Sequence, residues 1–169
     1  MNKKIIMILV ILIGVAAVFA YLNTGDQEER LASQREAKIF IVFEEKQHTV
    51  DFEKILSFEQ HTFEAMLKSS GGVDVNNIYT GIRLQDLLAA YEIPLTDITQ
   101  VITKAADGYT VALSPAEVLE EDNVYIVYKV NGEALSSKEE GGSGPYQLVI
   151  RQDPFAQRWN KFLMTLEVR

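Results

Sequence analysis

The chain has 169 residues, 47% of them hydrophobic and 24% charged, with mean hydropathy near zero, the profile of one globular domain plus an appendage rather than of a disordered chain. It has no cysteine, which excludes disulfides, thiolate metal sites, a Cys nucleophile and a lipid-modified N-terminal Cys. Net charge is −8 and Lys3 and Lys4 are the only charges in the first 25 residues, so the body is more acidic still, which argues against nucleic acid as a partner because phosphate contacts need a basic face.

After Lys3-Lys4, residues 5–22 carry no charge. A helix of that length spans roughly 27 Å, close to the thickness of a hydrocarbon core. Residues 1–24 are therefore expected to form a membrane anchor, with the lysines at the cytoplasmic end and the body outside. The alternative is a signal peptide cut after Ala20, since Val18-Phe19-Ala20 loosely fits the small-x-small rule, and the body is then secreted. Residues 25–38 are polar and of mixed charge and read as a linker, with helical character over 28–36.

Residues 39–169 read as the folded domain. Residues 39–43 (IFIVF) are a β-branched and aromatic strand, and residues 49–52 return from a polar turn as its hairpin partner. Residues 61–68 alternate as a half-buried strand. Ser69, Ser70, Gly71 and Gly72 end it, and a polar loop then leads to a Gly-started amphipathic helix. Leu84, Leu87, Leu88 and Tyr91 mark the apolar face of that helix and Pro94 its end. Residues 100–104 and 109–113 flank Asp107-Gly108 as a second hairpin. Ser114, Pro115 and Glu117 form a capping-box start to a short helix. Residues 124–130 (VYIVYKV) are the most apolar strand, turned by Asn131-Gly132. A Gly- and Ser-rich loop over 136–145, a strand over 146–151 and a closing strand over 162–168 complete an α+β domain with a mixed or antiparallel sheet.

Three marks carry a resemblance: Thr80-Gly81-Ile82-Arg83-Leu84 followed by Asp86-Leu87-Leu88; Ala106-Asp107-Gly108-Tyr109 after a strand; and Asn131-Gly132-Glu133-Ala134-Leu135 followed by Gly144-Pro145. Together with Arg158-Trp159-Asn160-Lys161-Phe162 before the last strand, they resemble the oxidoreductase molybdopterin-binding domain, the sulfite-oxidase fold, over about residues 60–169. The resemblance implies a β-rich domain that holds a molybdenum-pterin cofactor and turns over small oxyanions or sulfoxides. It also implies a Cys ligand upstream of the Gly-x-x-Leu segment, where this chain has Ser69, Ser70, Gly71 and Gly72. The family's Gly-containing stretch before its final basic residues is here Gln152-Asp153-Pro154-Phe155-Ala156.

Each candidate has two readings. Ser69 and Ser70 are a substitute cofactor site or a turn whose hydroxyls bond to nearby backbone. Arg151, Arg158 and Lys161 hold a cofactor phosphate or another anion, or they pair with the surplus of carboxylates. Trp159 lines a pocket or belongs to the core. His48 and His61 have no third ligand at suitable spacing, and Glu120-Glu121-Asp122 reads as a solvated helix end rather than a cation site. No catalytic and no metal-binding residue is assigned. The expected function is that of a membrane-tethered, extracytoplasmic binding or accessory module for a small molecule or an envelope protein, without molybdenum catalysis and with no cofactor. The alternatives are a divergent oxidoreductase that binds molybdopterin and an envelope scaffold.

Overall fold

In the computed structural model of the chain, residues 3–67 and 74–169 are described. The first sheet joins the two ends of the domain. Strand β1 (Ile39–Phe43) lies antiparallel to β2 (Lys46–Val50) and parallel to β10 (Leu163–Val168), so that Ile41 stands beside Leu166. Antiparallel pairing continues through β5 (Val101–Ala105) to β6 (Thr110–Leu113). The second sheet runs β3 (His61–Leu67), β4 (Val75–Arg83), β7 (Val124–Val130), all antiparallel. The short β8 (Glu133–Ala134) and the longer β9 (Gln147–Ile150) share the remaining edge of β7, β8 at its end and β9 at its start. The domain is therefore α+β, with one mixed and one antiparallel sheet.

Burial follows the sequence pattern. The continuous apolar run of β7 is buried at five successive positions, as a strand covered on both faces must be. The 3.6-residue spacing of Leu84, Leu87 and Leu88 puts all three in the core from α3 (Leu84–Ala90). In α4 (Pro115–Leu119) the capping box forms in full: the Ser114 hydroxyl accepts from the Glu117 N–H at 3.3 Å, and the Glu117 carboxylate accepts from the Ser114 N–H at 2.8 Å.

Four local expectations are corrected. The return of the first hairpin starts at Lys46 rather than at 49, because Glu44 takes the left-handed conformation (φ 55°) and tightens the turn. Residues 52–56 then form α2 (Phe52–Leu56), whose N-cap Asp51 accepts from the Lys54 N–H at 2.8 Å. The polar stretch before α3 is the nine-residue strand β4, not a loop. Its register sets Tyr79 against Phe63 and Val75 against Leu67, so cross-strand pairing outweighs the low β-propensity of Asn76 and Asn77. Gly81 consequently starts no helix. It lies in β4 at a register shift against β7, where an added Cβ would fall 2.1 Å from the Ile126 carbonyl oxygen.

The fourth correction concerns residues 25–38, read as a linker. A single helix, α1 (Lys3–Glu36), runs through the anchor and into the segment read as a linker. Its last turns are packed on the domain, with Gln34 fully buried. Along its first half, Ile5, Met7, Leu9, Ile11 and Ile13 are all exposed. Among the described residues, no helix is long and apolar enough to cross a membrane.

Candidate functional site

Ser69 and Ser70 lie outside the described residues. The two strands that flank them, β3 and β4, end beside a cleft of about 160 Å³. It is lined by Leu67, Asn77 and Tyr79 from these strands, by Val130 and Leu135, by Gly141, Gly142 and Ser143 of the 136–145 loop, and by Gln147 and Lys161. The alternation of β4 puts Asn77 and Tyr79 on one face of the strand, and that face lines the cleft.

Asn131 fixes this wall. It sits at the β7–β8 turn with φ 52°, accepts from the Ile78 N–H at 2.9 Å through Oδ1, and donates through Nδ2 to the Asn77 Oδ1 at 3.0 Å. Asn77 in turn donates to the Tyr79 hydroxyl at 3.4 Å. Burial raises the Tyr79 phenol above its ordinary value, more than the Asn77 hydrogen bond lowers it, so Tyr79 stays a neutral hydroxyl at the cleft. Behind it the Trp159 indole stands edge-on at 5.7 Å and donates to the Ile150 carbonyl at 2.9 Å. Trp159 is buried, so of its two readings the core is correct, and it supports the cleft from behind.

The three cations do not converge. Arg158 is held by carboxylates: its Nε donates to Asp153 at 2.9 Å, and its Nη2 donates to Glu117 at 2.8 Å and to the second oxygen of Asp153. Hydrogen bonding to Asp153 raises the guanidinium further above its already high value, against a smaller opposing effect of burial. Arg151 lies over the Phe63 ring, 4.8 Å from its centre, and near Tyr125, with a 3.4 Å hydrogen bond to the Asp122 carbonyl. Only Lys161 lines the cleft. Arg158 thus meets the carboxylates of Glu117 and Asp153, Arg151 the rings of Phe63 and Tyr125, and Lys161 the cleft.

The other candidates are structural. His48 packs on Tyr91 at 5.0 Å from β2, and His61 on Tyr125 at 5.7 Å from β3, in different sheets. Asp122 takes a left-handed turn (φ 53°) and accepts from the Tyr125 hydroxyl at 2.8 Å. A larger cleft, about 550 Å³, opens between the end of α1, β1 and β10, with Phe40, Phe162 and Met164 on its apolar side. It is a wider and more mixed surface, with Lys38, Lys138, Asp107 and Glu139 spread around it; Ala106, Asp107, Gly144, Pro145 and Phe162, which carry the family resemblance, line it, but none of Arg151, Arg158 and Lys161 does. The smaller cleft is the one that brings Asn77 and Tyr79 of β4, Gln147 of β9 and Lys161 to one space. Asn77, Tyr79 and Gln147 were missed in the sequence. The signal was present in Ile78-Tyr79-Thr80, a β-favouring triplet inside the stretch read as loop.

Comparison with known proteins bears on this arrangement. Residues 36–169 match the family model described as the oxidoreductase molybdopterin binding domain. The chain has no match among curated proteins. The crystal structure of the sulfane dehydrogenase SoxCD from Paracoccus pantotrophus is similar, with a TM-score of 0.64 and 23% identity, over 80% of this chain and 38% of that one. At that identity the likeness is one of fold, and this chain spans 38% of the length of the chain it matches.

Proposed function

Because the chain belongs to the oxidoreductase molybdopterin binding domain family, we propose that it uses the family's fold as a binding or accessory module, tethered outside the membrane by its N-terminal helix and without molybdenum catalysis. The observation that carries this reading is the donor set. The chain has no thiolate to offer a metal, and among the described residues no three His, Asp or Glu side chains group as a possible ligand set. Serine hydroxyls at 69 and 70 are hard, weakly acidic donors, different in kind from the thiolate that the resemblance gives to the metal. The pterin side of the cofactor fits no better: Arg158 is engaged by Glu117 and Asp153, Arg151 by aromatic rings, and a 160 Å³ cleft with Lys161 suits a small molecule rather than a pterin. No reaction step is assigned to the cofactor.

What the cleft offers instead is recognition. Lys161 supplies one cation, Asn77 and Gln147 supply amide groups, Tyr79 supplies a neutral hydroxyl, and Leu67, Val130 and Leu135 supply apolar contact. The membrane tether is supported by the exposed apolar side chains of α1 after Lys3-Lys4. One preparation tests both parts: the full chain made in a host that assembles molybdenum cofactor, with membranes washed in alkaline carbonate, extracted and denatured. The protein should stay with the membranes and release no pterin fluorescence. Stoichiometric pterin would establish the divergent-oxidoreductase reading, and release by carbonate would remove the tether.

A further inference from the structure

The loop over 136–145 has two sides. On one, Gly141, Gly142 and Ser143 wall the cleft beside Lys161. On the other, it meets the end of α1. We propose that the last turns of α1 are a strap that holds this loop in place, so that the shape of the cleft depends on the N-terminal helix being docked.

Two side chains make the strap. Gln34 has no exposed surface, and its Nε2 donates both to the Tyr128 carbonyl in β7 and to the Pro145 carbonyl at the loop's end, 3.4 Å away. The Nε2 is bonded while the buried Oε1 has no partner, so it is the two Nε2 contacts that tie helix, sheet and loop to one another. Arg30, four residues earlier and on the same helix face, donates from Nε and Nη2 to Glu140 at 3.0 and 2.9 Å. Its Nη1 lies 3.6 Å from Glu133 on β8. Glu140 is itself part of the loop's fold, since it accepts from the Ser137 N–H at 2.9 Å. The hydrogen bond from Arg30 holds the Glu140 carboxyl below its ordinary value, with the Ser137 N–H adding to it, so the pair is charged at neutral pH.

The loop also has bonds of its own: the Gly142 N–H donates to the Ser137 carbonyl and the Gly144 N–H to the Ser136 carbonyl, each at 2.8 Å. The strap competes with a simpler alternative, a loop that holds itself. Amide hydrogen exchange on the full chain in detergent separates the two. It needs neither ligand nor cofactor, so its failure is distinct from a failure of the binding-module reading. In Arg30→Glu, peptides covering 136–145 should exchange about tenfold faster, while the β5–β6 hairpin keeps its protection. Adding Glu140→Arg should restore most of the slowing. Gln34→Ala should speed the same peptides without altering the charge pair. Unchanged exchange over 136–145 in both Arg30→Glu and Gln34→Ala would overturn the strap, as would equal acceleration across every peptide, which would mean general destabilisation.

Discussion

Two residues show how single positions fix the sheet beside the cleft. At Gly81 the backbone of β4 approaches β7 so closely that a Cβ would meet the Ile126 carbonyl oxygen at 2.1 Å and the Val127 Cα at 2.6 Å. These are backbone atoms in the sheet, and they cannot swing aside. Gly81→Ala should therefore destabilise the domain by about 1–3 kcal/mol, read as a lower urea midpoint at unchanged slope. At Asn131 the chain is left-handed and the side chain bridges to Ile78 and Asn77. Asn131→Ala loses both features and should cost roughly 1–3 kcal/mol. Asn131→Gly keeps the backbone conformation and should cost less. Equal losses would show that the side-chain bridge, not the conformation, dominates.

The elements differ in how well local sequence marks them. Strands β1, β7, β9 and β10, the β5–β6 hairpin, α3 and α4 each carry their signal within a few residues: a β-branched run, an Asp-Gly turn, a leucine stripe, a capping box. β4 does not, because its polar Asn76 and Asn77 are held by pairing with Met66 and Ala65 of β3, and the strand gains β7 as a second partner only from Tyr79 onward. The docked end of α1 was equally hidden, since Gln34 looks like any linker glutamine until Tyr128 and Pro145 surround it. Of the site, Lys161 was legible as a cation near the chain's end. The engagement of Arg158 was not, because Glu117 lies 41 residues away.

That engagement ties α4 to the segment before β10 and makes stability depend on acid. Burial alone raises the Glu117 carboxyl, but the Ser114 N–H, Arg158 and the Ser114 hydroxyl outweigh it, and the net direction is downward. A carboxyl depressed in the folded state stabilises the fold above its ordinary pKa, and that contribution fades as pH falls through the depressed value. Urea midpoints between pH 7 and 3 should accordingly drop less in Glu117→Gln than in the wild type. Parallel curves would show that Glu117 titrates alike folded and unfolded.

At the scale of the whole molecule, residues 36–169 match the family's model, while the position that the resemblance gives to a Cys ligand has only serine and glycine around it in the sequence. Fold and reaction are separable properties, since a fold supports chemistry only through the groups placed on it. Here the frame positions a small cleft with one lysine and several amides and hydroxyls, and it docks a helix that leads to an apolar N-terminus. The most direct test is the molybdenum content of the full-length chain, purified from a molybdenum-replete host that makes the cofactor and measured against protein concentration. The proposed function predicts no stoichiometric metal, in the wild type and in Ser69→Ala/Ser70→Ala alike. About one molybdenum per chain in the wild type, lost in the double variant, would contradict it and make those serines ligands.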